Sequence, residues 1–358
     1  MYKVDFSLCK WNFTVYFNKE EDYLVYRDVI ANSVYDMSHK EQSSTTIYIY
    51  YINDQSIYNA MYEAKSSTKK EIISSFQDEY YDKYDDLFVS SNGNYLINRN
   101  DNSFNIICRE DLIRPELIYL IREIYVRLQE NDKALFMHGN GIEFDKQGLI
   151  LLGNSGSGKT TFMFKLFDDN HSPVSYLSND RIFLKDDDLV DYFPIPLILA
   201  NGTARGTKAI FNYLKNETEL YDSSFSRELL INGDSYEKFA LFKKYIPSIF
   251  PNCELKENSH SSKIILPKIN FDCTEIRVNP VADYKKVLPM CFTPVDYESL
   301  RKPWIMARNM DDEELYQRAV KVIQDKVDRG MAYTIDYNPE MDACYIQDQV
   351  RQKVLVKE

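Results

Sequence analysis

The residues at positions 153–160 are the strongest candidates for a chemical function in this chain. Their sequence, GNSGSGKT, satisfies the pattern GxxxxGK[ST], with an apolar strand-like run before it and a helix-like run after it. Glycines at this spacing let consecutive backbone N–H groups surround a phosphate without Cβ clashes, and the following helix directs its positive N-terminal end there. The alternative is a chance Gly/Ser-rich turn that binds no ligand. The motif and its context instead predict a binding site for the phosphates of ATP or GTP. ATP with Mg²⁺ is the preferred prediction.

Two side chains of this run have specific expected roles. Lys159 should reach the β- and γ-phosphates, and the Thr160 hydroxyl should coordinate Mg²⁺. The same loop serves kinases, ATPases and GTPases, so it does not identify the phosphoryl acceptor. The predicted nucleotide-binding residues are Gly153, Asn154, Ser155, Gly156, Ser157, Gly158, Lys159, Thr160 and Thr161.

Phosphoryl transfer also needs an acid that holds the metal or orients and deprotonates the nucleophile. Asp180 is the candidate, since it follows the apolar run Val174–Leu177. A strand returning to the sheet beside the loop strand would place this carboxylate at its C-terminal end, where α/β sites form. We therefore predict Asp180 as a catalytic residue and as a metal ligand together with Thr160. The alternative is an aspartate that only caps a turn, because Asn-Asp pairs are common turn formers.

The elements that must position these residues follow from hydrophobic periodicity. A helix is predicted over Arg114–Gln129, marking the entry to a second domain, and another helix over Glu313–Arg329. A further helix is predicted to begin at Thr161. The predicted strands in this half are Ala134–His138, Gly141–Phe144, Leu149–Leu152, Val174–Ser178, Ile182–Leu184 and Ile264–Pro267.

The first 108 residues show short aromatic and β-branched runs, typical of strands, at Phe13–Phe17, Thr46–Tyr51 and Tyr95–Asn98. The segment Gln55–Gln77 is compatible with a helix or with a mobile connection. We predict a mostly β N-terminal domain over residues 1–110, assigned to substrate recognition by position alone. A catalytic domain over 111–300 and a helical C-terminal tail over 301–358 complete the division.

Composition limits the classes of partner. The 358 residues carry a formal net charge of −12, which disfavours nucleic acid because binding its backbone needs a basic surface. Six scattered cysteines without a CxxC pair indicate neither a zinc site nor a disulfide framework, and they are predicted as reduced core residues. No signal-like N-terminus or run of 18 apolar residues is present, so no membrane association and a cytoplasmic location are expected.

The run MHGNGIEFDKQGLILLGNSGSGKTTFMFKLF followed by YLSNDRIFL resembles the catalytic domain of the HPr kinase/phosphorylase family and its relatives, which include kinases of lasso-peptide precursors. The resemblance covers about residues 111–210. It implies an α/β protein, α+β overall, with a P-loop kinase core of HPr-kinase/PEP-carboxykinase type beside the mostly β N-terminal domain. It also implies that His138 matches the family's histidine upstream of the loop, and that Asp180 matches the second acid of its Asp-Asp pair.

Two positions depart from the family pattern. Asn179 stands where the first acid is expected, and an amide cannot accept a hydroxyl proton. The Glu-x-Arg-Gly signature appears as Thr203-Ala204-Arg205-Gly206, without the metal-binding glutamate, although Arg205 could still meet phosphate charge. His138, Asp180 and Arg205 are the predicted catalytic residues. A hydrogen-bonded core histidine is the other interpretation of His138.

Two functions of different class remain open from the sequence. The first is an ATP-dependent kinase that moves the γ-phosphoryl group to a hydroxyl, such as serine of a peptide or protein. The second is a catalytically weak nucleotide-binding regulatory module, as the Asn179 and Thr203 departures indicate. A metabolite kinase of phosphoenolpyruvate-carboxykinase type would be a third. The resembled family often assembles into symmetric rings, so a homo-oligomer is among the oligomeric states that the sequence leaves open. Lys263 and Lys268, which flank Ile264–Pro267, are further candidates for phosphate or substrate contact.

Overall fold

The computed structural model describes residues 1–34, 37–41, 45–65, 71–74, 80–84, 87–90, 93–109, 116–168, 173–216, 234–235, 237–260, 263–291 and 305–355. The chain forms two compact units. The first unit comprises Met1–Asn131 together with Thr293–Asn309, and the second comprises Asp132–Phe292 together with Met310–Glu358. The described parts are mixed α/β with several mixed sheets.

The first unit is built on an eight-stranded sheet in the order β1-β2-β3-β8-β7-β6-β5-β4. Its strands pair antiparallel except at β2–β3 and β3–β8, which are parallel. The strands are β1 Tyr2–Leu8, β2 Trp11–Phe17, β3 Thr46–Asn53, β4 Glu71–Ser74, β5 Tyr80–Tyr84, β6 Leu87–Ser90, β7 Tyr95–Asn100 and β8 Ser103–Cys108. The described helices are α1 Glu20–Ser33, α2 Gln55–Ala64 and α3 Glu116–Asn131.

This unit contains more helix than the sequence indicated. Helix α1 was not predicted, and its apolar side chains do not form a clear stripe, so tertiary packing of Tyr26 against Phe17 stabilises it. The segment over Gln55–Gln77, left open from the sequence, begins with helix α2 and continues into β4. The description as mostly β therefore holds for the sheet alone.

The second unit centres on a seven-stranded mixed sheet in the order β17-β12-β10-β11-β19-β21-β20. A four-stranded sheet, β18-β14-β13-β9, and the pair β15-β16 accompany it. The strands are β9 Leu135–Met137, β10 Gly139–Phe144, β11 Gln147–Leu152, β12 Val174–Ser178, β13 Ile182–Leu184, β14 Val190–Tyr192, β15 Leu197–Ala200, β16 Lys238–Leu241, β17 Cys253–Leu255, β18 Asn258–Ser259, β19 Lys263–Ile269, β20 Arg277–Pro280 and β21 Ala332–Tyr337.

The α-helices described in this unit are α4 Lys159–Phe167, α5 Asn201–Gly206, α6 Lys208–Asn216, α7 Ile246–Ile249, α8 Leu288–Cys291, α9 Asp312–Asp328 and α10 Ala343–Val350. Short 3₁₀ turns occupy Lys243–Tyr245 and Tyr284–Lys286, and a π turn occupies Arg351–Leu355.

Both faces of the central sheet are covered at β11, which explains the unbroken apolar run of this strand. Leu149 and Leu151 join the apolar cluster that contains residues of α4 and α10, whereas Ile150 and Leu152 join the cluster that contains residues of α9. Parallel strands covered on both faces show this continuous apolar pattern instead of alternation. The sheet thus fixes β11, and with it the start of the glycine-rich loop.

Two sequence-based boundaries differ from the structure. Helix α3, predicted from Arg114 and as the entry to the second domain, is described from Glu116 and belongs to the first unit; positions 111–115 lie outside the described residues. The helical tail predicted over 301–358 was also incomplete, because it contains β21, which pairs in parallel with β19 inside the central sheet. A six-residue strand after a 17-residue helix gave too weak a signal beside it.

Candidate functional site

The glycine-rich loop connects the end of β11 to the start of α4, as predicted. Gly158 shows why this loop needs glycine, since its φ is +97°. A Cβ at this position would lie 2.6 Å from Ile269 Cγ1 and 2.7 Å from the Tyr337 hydroxyl. Backbone strain and steric clash together therefore exclude a side chain here.

Residues of the neighbouring strands β19 and β21 donate hydrogen bonds to carbonyl groups of the loop. The Ile269 backbone N–H donates to the Ser157 carbonyl at 3.2 Å, and the Tyr337 hydroxyl donates to the Gly158 carbonyl at 3.0 Å. Ile269 ends β19 and Tyr337 ends β21, so the C-terminal ends of two parallel strands support the loop. This placement agrees with the rule that α/β sites form at the carboxyl ends of strands.

Lys159 is buried and faces the interior of the loop. Its Nζ donates to the Gly153 carbonyl at 2.6 Å and to the Asn154 carbonyl at 3.2 Å. Burial lowers the pKa of Lys159 to about 8, although the negative charge of Asp180 opposes this change. The ammonium thus lies in an environment that disfavours its charge, and a nearby anion would stabilise it.

A second polar atom in the loop also suits a ligand. The Ser157 Oγ is buried and has no hydrogen-bond partner among the described residues. Buried hydroxyls in native structures are normally bonded to protein, water or ligand. Together with the positive end of α4 and the Lys159 ammonium, this hydroxyl forms a set of donors that fits an anionic oxygen ligand.

The strand that carries the acidic candidate lies one position further away than predicted. β12 does not pair with β11, because β10 lies between them and is antiparallel to both. The β10–β11 hairpin therefore places β10 between β11 and β12. β11 and β12 nevertheless run in the same direction, so their C-terminal ends share one edge of the sheet with the beginning of β10.

Asp180 lies at the centre of a tight turn just beyond β12. Its φ is +67°, and the Arg181 backbone N–H donates to the Asn179 carbonyl at 2.8 Å. A positive φ with a hydrogen bond across three residues defines the rare, strained form of γ-turn. The buried Ser178 Oγ donates to the Arg181 carbonyl at 2.6 Å and braces the turn. Such strain is concentrated at functional sites.

His138 and Asp180, both predicted as catalytic, are in direct contact. The His138 Nε2 lies 3.0 Å from Asp180 Oδ1, and Arg181 Nη1 lies 3.0 Å from Asp180 Oδ2. Burial raises the pKa of Asp180, but the hydrogen bond from His138 and the charges of Arg181 and Lys159 outweigh burial and lower it to about 2. Asp180 is therefore ionised at neutral pH.

The protonation state of His138 follows from its surroundings. Burial lowers the pKa of His138 below its ordinary value, while the contact with Asp180 acts in the opposite direction. Because an ionised carboxylate only accepts hydrogen bonds, Nε2 must carry a proton and donate it to Asp180. The neutral ring then has its lone pair on Nδ1, so the His138–Asp180 pair has the arrangement of an oriented general base.

Asn140 is the site residue that sequence reasoning missed. Its side chain is fully buried at the start of β10. Its Oδ1 accepts from the Asp180 backbone N–H at 3.0 Å, and its Nδ2 donates to Thr160 Oγ1 at 3.5 Å. One amide thus joins the phosphate-loop threonine to the Asp180 turn. A polar residue at the second position of β10, two residues after His138, was the available signal.

The positions that depart from the family pattern have structural partners. The buried Asn179 donates through Nδ2 to the Ile198 carbonyl of β15 at 3.0 Å. Thr203 Oγ1 lies 3.1 Å from Thr161 Oγ1, which brings α5 to the start of α4. Arg205 Nη2 donates to Ser235 Oγ at 2.7 Å. Thr203 therefore stands beside the loop helix, whereas the partner described for Arg205 is a serine.

Other sequence-based expectations have different outcomes. Lys263 is buried and donates to the carbonyls of Val354 and Leu355, so the prediction that it contacts phosphate was wrong. Lys268 is exposed on β19. The six cysteines, all among the described residues, form no disulfide bond; five are buried, whereas Cys344 is exposed and does not belong to the core. Cys344 falls on the outer side of α10, where periodicity alone did not place it.

The oxygen donors at this edge are a hydroxyl from Thr160 and a carboxylate from Asp180. Hydroxyl and carboxylate oxygens suit Mg²⁺, which is usually held by one or two carboxylates plus substrate phosphates. Within the described residues, no group of three or more His, Cys, Asp or Glu side chains is arranged to hold a metal ion. The donor set thus fits a metal shared with a phosphate ligand.

No protein-family model and no curated protein matches this chain. The resemblance to the HPr kinase/phosphorylase family is accordingly carried by its motif residues, and membership in that family stays a prediction. Among the helices that the structure describes, none has the length and apolar character needed to cross a membrane.

Proposed function

We propose that this chain is a P-loop phosphotransferase that moves the γ-phosphoryl group of ATP to a hydroxyl. The single observation that carries the proposal is the Asn140 bridge, which connects Thr160 of the glycine-rich loop to the Asp180 turn. A phosphate-binding loop alone is compatible with many functions. A loop tied to an ionised carboxylate, itself paired with a histidine, has the parts that phosphoryl transfer requires.

Each residue then has a defined task. The acceptor oxygen forms a bond to the γ-phosphorus while the bond from that phosphorus to the bridging oxygen breaks, and ADP leaves. Lys159 and the loop N–H groups hold the phosphate oxygens, where they stabilise the charge of the transition state. The hydroxyl proton passes to the lone pair on His138 Nδ1, and Asp180 stabilises the resulting imidazolium. Asp180, with a pKa of about 2, is by itself a weak proton acceptor.

Thr160 and Asp180 are the residues proposed to hold Mg²⁺, which would neutralise charge on the β- and γ-phosphates when bound. The acceptor class rests on the family resemblance, which favours serine of a peptide or protein. A net charge of −12 suits a neutral or basic acceptor better than an acidic one. Arg205 remains a candidate for contact with phosphate charge.

A nucleotide-binding module without turnover is the second candidate, and specific observations favour it. The Asn179 amide is bonded to Ile198 in the backbone of β15, and Thr203 pairs with Thr161 where the family has a glutamate. Neither position supplies a second carboxylate. In this alternative, occupancy of the loop by ATP would order a surface that a partner protein recognises.

Transfer of label from γ-labelled ATP distinguishes the two. The purified 358-residue chain is incubated with Mg²⁺ and labelled ATP, alone and with serine-containing peptides of basic, neutral and acidic charge. The kinase proposal expects transfer that is lost in Lys159→Ala and in His138→Gln, and retained in Lys321→Met, which changes an exposed lysine of α9. Tight ATP binding without transfer or hydrolysis above the Lys159→Ala background would refute the kinase and support the module.

A further inference from the structure

The order of strands gives the bound nucleotide a direction. His138, Asn140 and Asp180 lie at the ends of β9, β10 and β12, and β10 is the neighbour of β11 on one side. β19 is the neighbour of β11 on the other side, followed by β21. With the γ-phosphate at the Asp180 turn, a nucleotide that runs along this edge of the sheet extends to the other side of the loop, toward β19 and β21.

Phe271 lies where the nucleoside would arrive. It follows Ile269, the last residue of β19, whose backbone N–H contacts Ser157 of the loop. Leu151 of β11 is opposite Ile265, so β19 runs four residues beyond that pair to Ile269. The end of β19 therefore lies beside the loop, next to Ser157, and not beside the end of β11. Phe271 is 68% exposed, although it is a large apolar side chain. Its ring stacks on no other ring in the part of the chain that the structure describes.

The turn that carries Phe271 is firmly held. The Cys273 backbone N–H donates to the Asn270 carbonyl at 3.1 Å, and the Asn270 N–H donates to the Tyr337 carbonyl at 2.8 Å. The Asn338 Nδ2 donates to the Phe271 carbonyl at 3.0 Å. Hydrogen bonds from β21 and from within the turn therefore fix the backbone, and an exposed aromatic ring on a fixed backbone loses little entropy when a ligand stacks on it.

We propose that Phe271 is the platform on which the base of the nucleotide stacks. This inference rests on the proposed function, because it requires the triphosphate to occupy the loop at positions 153–160. Stacking uses the π-face that every base has, so it provides affinity without choosing between adenine and guanine. Phe271 thus adds a nucleoside subsite to the phosphate subsite, and the two subsites are separable by experiment.

Binding of ATP and of inorganic tripolyphosphate separates them. Both ligands are titrated in Mg²⁺ buffer into wild type, Phe271→Ala and Phe271→Tyr, with Tyr316→Ala as the matched control, since Tyr316 is an exposed aromatic residue of the same unit. We expect Phe271→Ala to weaken ATP binding roughly 5- to 150-fold, the range typical of base–aromatic stacking. Tripolyphosphate affinity should not change. Phe271→Tyr and Tyr316→Ala should behave as wild type with both ligands.

Three outcomes would overturn the proposal in distinguishable ways. Equal loss of ATP and tripolyphosphate affinity in Phe271→Ala would mean that Phe271 only supports the loop. Unchanged ATP affinity in that variant would show that the base does not stack on Phe271, while the proposed phosphate site would stand. Wild type that binds neither ligand would refute the proposed function itself. A Phe271→Trp variant provides an independent readout, because indole fluorescence should respond to ATP but not to tripolyphosphate.

Discussion

The buried ammonium of Lys159 makes nucleotide binding measurable as proton uptake. Its pKa is lowered from 10.5 to about 8, so at pH 8 about half of the molecules have a neutral Lys159. A bound triphosphate supplies the missing counter-charge and returns the pKa toward its ordinary value. Binding at pH 8 should therefore take up about half a proton per site, and binding at pH 6.5 should take up almost none at this residue.

The same pKa has a consequence for stability. A lysine whose pKa is lower in the folded state holds its proton more weakly there, so the unfolded state binds more protons between about pH 8 and 10.5. The folded state is penalised in full below pH 8, and the penalty disappears as pH rises through that window. At about 1.4 kcal/mol per pH unit, the penalty is about 3 kcal/mol. Lys159→Met should therefore fold at least as stably as wild type at pH 7.

Calorimetry in buffers of different ionisation enthalpy measures the uptake. The apparent binding enthalpy of ATP at pH 8 is plotted against the buffer enthalpy, and its slope gives the number of protons. Wild type and Lys321→Met, which changes an exposed lysine of α9, should give the same slope. Titration of inorganic tripolyphosphate should reproduce it. ATP binding by wild type with a slope near zero at pH 8, or Lys159→Met markedly less stable than wild type at pH 7, would refute the reasoning.

Three further predictions concern the loop and the Asp180 turn. Asp180→Asn should abolish label transfer while leaving ATP affinity nearly unchanged; retained turnover would place the active carboxylate elsewhere. Gly158→Ala should lose ATP binding and at least ~1 kcal/mol of stability because of its positive φ, whereas Gly206→Ala, in open space, should do neither, as denaturation and titration would show. Asn140→Ala should cost about 1–3 kcal/mol of stability and slow transfer in the labelling assay. Wild-type stability and transfer rate would refute the role of Asn140 as a bridge between Thr160 and the Asp180 turn.

Local sequence was sufficient where a motif carries its own backbone requirement. GxxxxGK[ST] predicted the strand, loop and helix at positions 149–167, because glycines that must adopt positive φ are visible in the sequence itself. The helix at Asp312–Asp328 was also predicted to within one residue at each end, since a long amphipathic pattern is a strong periodic signal. The roles of the motif residues remain predictions, but their positions around the loop follow from chemistry at short range.

The order of the strands in the central sheet could not be predicted from the sequence. The acid-bearing strand β12 was expected beside β11, yet β10 separates them. β21 falls in the segment predicted as a helical tail, but it lies inside the central sheet, and its Tyr337 donates a hydrogen bond to the loop. Pairing between segments far apart in the chain depends on which surfaces can be buried together, and short strands carry little information about their partners.

The candidate chemical groups could be identified from the amino-acid sequence: the loop amides, Lys159, Thr160, His138 and Asp180. Which of these groups contact one another depends on the packing of the folded chain. This packing brought His138 to Asp180 at 3.0 Å across 42 positions and placed the Asn140 amide between the loop and the turn. Residue types and spacing are properties of a linear chain, whereas contact, burial and altered pKa values exist only after distant segments pack together and exclude water.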